Sequence, residues 1–300
     1  MPHGQNGRDK TEIQQVIQNM ITEIVDIYEA YSVPRESGTA GRLSCVAMTL
    51  PQVSEGRCRP AILILPGGGY HHTSPREAEP VALRFAAKGW AAFVLHYSCA
   101  PGGFPVSLRE AALAMRWIRE NAARFQVDPH MVAAMGFSAG GHLCGTLGTM
   151  FDCPEVADLG PPALLRPDAL GLCYPVTVSR GKTHGESFVN ISRGDPALAD
   201  RLSLDDLVRP DMPPVFLWHT RDDASVPVYG TLKLACALEN AGVDFAMHVY
   251  RRGRHGLATA DEMVYPTAAV PDMSRNVPDW LEAEMEFFRE KGLKIKDFEE

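Results

Sequence analysis

No apolar run in this 300-residue chain approaches the roughly 18 residues that a membrane-spanning helix needs. The chain also has no excess of basic charge. Its formal net charge is −8, which excludes the electrostatic footprint expected of a nucleic-acid or anionic-lipid partner. The short cluster Arg251-Arg252-Gly253-Arg254 reads as a solvated loop. Met1 to Lys10 is polar and lacks the apolar stretch of a secretory leader. The seven cysteines are odd in number, and their spacing fits neither a disulfide framework nor a zinc site. Several sit in apolar runs, where a free thiol behaves as a small hydrophobe. A reducing, cytoplasmic location is expected. His71, His72, His142 and His184 could cluster, but no two histidines stand four apart and no cysteine or carboxylate set accompanies them. A dinucleotide-binding glycine pattern is also missing. Neither a metal nor a cofactor is expected.

A hydrophobic content of 45% is enough for a sizeable core. Ile13, Val16, Ile17, Met20, Ile21, Ile24, Val25 and Tyr28 recur at helical spacing and predict an amphipathic helix over Thr11 to Tyr31. A polar, proline- and glycine-containing stretch, Ser32 to Gly41, follows it. Residues 1–41 are therefore read as a helix plus linker, packed on the core or serving as a lid or a homodimer arm. Residues 42–300 are read as the main domain. There, Leu43–Met48, Ala61–Leu65, Ala91–Leu95, Met131–Met135, Ala169–Cys173, Val215–Trp218 and Phe245–Val249 read as strands. Helices are predicted over about Arg76–Lys88, Ser107–Arg124, Val228–Ala241 and Asp279–Lys291. This alternation predicts an α/β fold with a mostly parallel central sheet and helices on both faces. The segment 177–211 is too long for a plain connection and is read as a small cap beside the site.

The most informative segment is Gly136-Phe137-Ser138-Ala139-Gly140-Gly141-His142. It lies between a strand and a helix-compatible stretch, the setting in which Gly-x-Ser-x-Gly presents a serine at a sharp turn. A free serine hydroxyl is a poor nucleophile at neutral pH and needs a base. In hydrolases of this type the order is serine, acid, histidine, which favours His255 in its glycine-flanked loop after the last strand. His248 falls inside a strand pattern and reads as a packed or surface strand residue. The acid is sought after Val215–Trp218, where Asp222 and Asp223 are both available to orient the imidazole. Asp223 is favoured, with Asp222 left to stabilise the turn. His219, at the end of that strand, is read as a structural histidine. Pro66-Gly67-Gly68-Gly69-Tyr70 follows a buried strand and offers backbone amides. Gly68, Gly69 and Ala139 are the candidate donors to an oxyanion.

Together with Tyr97, Ala100-Pro101, Tyr174-Pro175 and Val226-Pro227, these motifs resemble the α/β-hydrolase superfamily over about Cys45 to Phe288. Within it they are similar to the bifunctional acetylxylan/feruloyl esterases and related carbohydrate acetyl esterases. The resemblance implies an α/β-hydrolase fold and a triad of Ser138, Asp223 and His255. It also implies short-chain acyl esters as substrates, acetyl groups on sugars or xylo-oligosaccharides above all. Tyr70, His71 and His72 would border the acyl or sugar site, and His184, Ser187 and Phe188 of the cap would meet the alcohol portion. Two other readings compete: a serine peptidase of prolyl-oligopeptidase type and a non-catalytic hydrolase-fold binding protein.

Overall fold

Short runs of isoleucine, leucine, valine and alanine form the central strands, because a strand covered on both faces has no polar side to present. The structure is a computed structural model that describes residues 20–35, 39–48, 57–266, 277 and 280–296. The chain opens with β1 (Met20–Asp26), helix α1 (Ile27–Tyr31), β2 (Arg42–Met48) and β3 (Arg59–Leu65). Helix α2 (Glu79–Ala87), β4 (Ala91–His96), α3 (Val106–Glu120) and β5 (Val127–Phe137) follow. Next come α4 (Ala139–Met150), α5 (Pro162–Leu165) and β6 (Leu170–Cys173). Between β6 and β7 (Val215–Thr220) the segment read as a cap holds α6 (Gly185–Ser192), α7 (Pro196–Arg201) and α8 (Leu204–Leu207). Helix α9 (Tyr229–Ala241), β8 (Phe245–Tyr250) and α10 (Trp280–Glu290) complete the described fold.

The eight strands form one sheet in the order β1-β2-β4-β3-β5-β6-β7-β8. The β1/β2 and β2/β4 pairs are antiparallel. All pairs from β4 to β8 are parallel. Alternation along β3 sends Ala61, Leu63 and Leu65 into one apolar cluster and Ile62 and Ile64 into the other. Helices α3, α4 and α9 cover the first face, and α2 and α10 the second. This is the predicted α/β-hydrolase architecture.

One reading is corrected. Met20–Asp26, expected within an amphipathic helix, is a strand paired with β2 along its whole length. Spacing alone misleads here, since residues i and i+4 share a face in a strand as well as in a helix. Ile21 and Val25 pack on the core, while Ile24 is 75% exposed. Among the described residues of that stretch only Ile27–Tyr31 is helical, started by Asp26, whose carboxylate accepts from the Tyr28 and Glu29 amides. Residues 11–19 of the expected helix lie outside the described residues. The dimer-arm reading has no helix to rest on over residues 20–26. Helix α3 also ends four residues early, because Asn121 folds its amide back onto the Trp117 carbonyl at 2.9 Å and a 3₁₀ turn follows.

On the second face, α10 lays Glu284 against β6. The side chain is fully buried, and neither carboxylate oxygen has a hydrogen-bond partner among the described residues. Gly171 makes room for it, since a Cβ there would overlap Glu284 Oε1. Burial pushes this carboxyl well above the usual range.

Among the described residues no helix is long and apolar enough to cross a membrane. All seven cysteines are free thiols.

Candidate active site

Every motif singled out above lies at the C-terminal edge of the parallel strands, where open α/β sheets hold their ligands. Ser138 joins β5 to α4 with φ 54° and ψ −117°. Such a conformation costs a non-glycine residue about 1–3 kcal/mol and persists only where its surroundings fix it. Here the Ser138 amide donates to the Cys173 carbonyl at 3.0 Å. Its carbonyl accepts from His142 at 3.1 Å and Val176 at 3.0 Å. Close packing adds to this. A Cβ on Gly136 would overlap the Gly140 carbonyl, and one on Gly140 would overlap the Leu65 carbonyl.

His255 Nε2 lies 2.8 Å from Ser138 Oγ, and its Nδ1 lies 2.6 Å from Asp223 Oδ2. Asp223 is fully shielded at its side chain. Burial alone would raise its carboxyl. Hydrogen bonds from His219 and His255, charge attraction from His255 and the Val226 amide outweigh that and hold it well below the ordinary carboxylate range. The other oxygen, Oδ1, accepts from the Ser225 and Val226 amides, each at 2.9 Å. An ionised Asp223 assigns the proton of neutral His255 to Nδ1 and leaves Nε2 able to accept from the serine hydroxyl. His219 backs the same carboxylate at 3.4 Å. Its Nε2 donates to the Val226 carbonyl and its Nδ1 accepts from Thr231, each at 2.8 Å. Asp222 instead accepts from the Gly253 amide at 2.7 Å and so ties down the loop that carries His255. Trp280 of α10 supports that loop from below through the Ala258 carbonyl.

The glycine loop after β3 is held by its carbonyls. Gly67 O accepts from Ser74, and Gly68 O accepts from His71 and His72. A planar trans peptide directs the following N–H the opposite way. The Gly68 and Gly69 amides are thus turned away from those bonds, and neither has an acceptor among the described residues. Gly68 has φ +125°, a value that a side chain would make strained. Ala139 contributes the first amide of α4, where the helix dipole favours negative charge. Asn190 of α6 donates to the Gly69 carbonyl at 2.8 Å. Tyr97 donates to the Pro66 carbonyl at 2.6 Å.

A cleft of about 400 Å³ opens over Ser138 and His255. Gly68, Gly69, His71, His72, Arg76, Glu77, His184, Glu186, Ser225 and Gly256 are among its walls. His71 and His72 therefore line the cleft. Tyr70 does not. Its positive φ of 57° turns the ring into the core, where its hydroxyl bonds His142 Nδ1 at 2.8 Å. His142 in turn donates from Nε2 to the Leu202 carbonyl at 2.8 Å, joining α4 to the segment between β6 and β7. Burial pushes its imidazole down to about 4, so it is neutral. Of the cap residues named above, His184 reaches the cleft. Ser187 and Phe188 are buried, the first bonded to His184 and the second stacked edge-on against His142. Glu77, Asn190, Arg76 and Glu186 carried no motif and were not anticipated.

A family model described as BD-FAE matches residues 46–158, and one described as the prolyl oligopeptidase family matches residues 190–290. The solved acetyl ester-xyloside bifunctional hydrolase from Caldicellulosiruptor lactoaceticus is 33% identical, with a TM-score of 0.76 over 91% of this chain and 97% of that one. The chain belongs to the α/β-hydrolase superfamily. The chain is also similar to a carboxylesterase from Lactobacillus plantarum, 25% identical with a TM-score of 0.74 over 92% and 98% of the two chains. Among curated proteins, an acetylxylan esterase of Xylanibacter ruminicola is 29% identical over 78% of this chain and 47% of its own length. Endo-1,4-beta-xylanase B of Butyrivibrio fibrisolvens is 36% identical over 68% of this chain and 33% of its own length. The chain thus spans between a third and a half of these two curated relatives.

Proposed function

We propose that this hydrolase is a serine esterase that removes short acyl groups, acetyl above all, from sugar hydroxyls. The observation that carries the reading is the unbroken chain Asp223–His255–Ser138, with contacts of 2.6 and 2.8 Å, opening onto a cleft of polar side chains. His255 Nε2 takes the hydroxyl proton as Ser138 Oγ attacks the ester carbonyl. The carbonyl oxygen gathers negative charge and is met by the amides of Gly68, Gly69 and Ala139. One such donor contributes on the order of 3 kcal/mol of transition-state stabilisation. The tetrahedral intermediate collapses, and His255 passes its proton to the departing sugar oxygen. Water, deprotonated by His255, then attacks the acyl-serine and restores the hydroxyl.

The walls of the cleft favour acetyl over a phenolic acyl group. His71, His72, His184, Arg76 and Glu186 can bond hydroxyls, and among the described residues no phenylalanine, tyrosine or tryptophan lines the cleft to receive a feruloyl ring. Two of the similar proteins carry acetylxylan or acetyl ester-xyloside in their names. The match of residues 190–290 to the prolyl oligopeptidase family favours peptide-bond cleavage as the second reading. Acetylated xylo-oligosaccharides, 4-nitrophenyl acetate, feruloyl esters and aminoacyl nitroanilides assayed side by side separate the readings. Turnover of the acetyl esters well above the others is expected. Faster cleavage of the nitroanilides would replace the esterase reading with the peptidase one.

A further inference from the structure

We propose that Glu77 is a positioning residue that fixes the oxyanion loop relative to the base. The proposal rests on the esterase reading of the Ser138 site. Glu77 ends the 3₁₀ turn Pro75–Glu77 and is 3% exposed. Its Oε2 accepts from the Gly67 amide at 2.9 Å, at the root of the oxyanion loop. Its Oε1 accepts from the Tyr174 hydroxyl at 2.7 Å, just past the end of β6. The same hydroxyl accepts from the Ala258 amide at 2.9 Å, three residues after His255. The Tyr174 ring also packs edge-on against the His255 imidazole, with centroids 5.1 Å apart. One carboxylate therefore links the loops after β3, β6 and β8.

The placement is tight at the nucleophile as well. A Cβ on Gly67 would stand 2.7 Å from Glu77 Oε2 and 2.9 Å from Ser138 Cβ. Carboxylate, glycine loop and nucleophile thus converge on one point. Two donors approach Glu77 from different loops, and only a carboxylate of this length presents an acceptor to each. A glutamine satisfies one donor and turns its amide hydrogens on the other. A buried carboxylate is costly unless both oxygens are bonded, and both of these bonds serve segments that touch the reacting groups.

A misplacement of the reacting groups by about 1 Å costs on the order of 100-fold in rate. Glu77→Gln is therefore expected to lower kcat for 4-nitrophenyl acetate by about 30- to 100-fold, with KM within about threefold of the unmodified chain. Tyr174→Phe, which keeps the ring, is expected to lower kcat about tenfold. The double variant should be no more than about twofold worse than Glu77→Gln, because both act through one chain of bonds. A folded Glu77→Gln protein with unchanged kcat, or with a change confined to KM and melting temperature, overturns the proposal. If Glu77→Gln does not fold, Tyr174→Phe decides. A fall in kcat at constant KM supports the proposal, and an unchanged kcat overturns it. Inactivity of the unmodified chain on every ester tested would instead remove the esterase reading, a result visible before any variant is made.

Discussion

Asp223 and Glu284 are carboxylates whose side chains are equally closed to water, one in the loop after β7 and the other on α10 beneath β6. Asp223 accepts from two amides and one imidazole, and a second imidazole stands beside it. Glu284 has no partner among the described residues. Burial raises both carboxyls, yet only Glu284 ends high, while Asp223 is held low and ionised. The contrast shows that accessibility does not decide whether an interior carboxyl carries charge. Oriented donors do, and this fold supplies them at the cleft and withholds them under the sheet.

The largest expected effect is at the cleft. Ser138→Ala should lower ester hydrolysis by about 10⁴-fold or more without changing the melting temperature by more than a few degrees. Residual turnover near that of the unmodified chain would remove Ser138 as the nucleophile. Asp223→Asn should lower kcat by about 10³- to 10⁴-fold, since an amide no longer holds the imidazole in the required tautomer. Asp222→Asn keeps an acceptor for the Gly253 amide, so its kcat should stay within about tenfold. Equal losses in the two variants would erase the distinction drawn between these neighbours.

At the other pole, Glu284→Met replaces a partnerless carboxyl by an apolar chain of similar size. Chemical denaturation at pH 8 should show a gain on the order of 1 kcal/mol or more. The sign follows from linkage. The Glu284 carboxyl is raised in the fold and titrates near 4.5 when unfolded, so the native state binds the extra proton. Its burden on stability is absent well below pH 4.5 and grows as pH rises toward the folded value. The gain in Glu284→Met should shrink accordingly in acid, and a gain independent of pH would point to packing alone. The smallest effect concerns His142. Its imidazole is pushed from 6.5 down to about 4 by burial, so the native state resists a proton that the unfolded chain accepts. Stability should fall as pH drops from about 6.5 to about 4. His142→Gln can still accept from Tyr70 and donate to Leu202, and its melting temperature should fall less over that window.

The parallel strands were legible because most hold a short apolar run, as Ala61–Leu65 does in β3, where every one of these side chains is buried. Ser138 and His255 were legible through their order and the glycines that flank them, and Asp223 through its place in the loop after β7. Met20–Asp26 was not, since its apolar positions satisfy two periodicities at once. Tyr70 was misread because adjacency to the glycine loop says nothing of the positive φ that turns its ring inward. Glu77 was invisible for a further reason. A glutamate near the start of a helical pattern looks the same in sequence whether water or two loops receive its carboxylate.

Gly140 rests directly on the carbonyls of Leu65 and Pro66, with no side chain between. At this point the turn of Ser138 and the glycine loop meet through main-chain atoms, and replacing His71, His72, His184 or Glu186 on the rim leaves that contact intact. These four side chains shape the mouth of the cleft, so exchanging them alters what can enter it without disturbing the turn that carries Ser138.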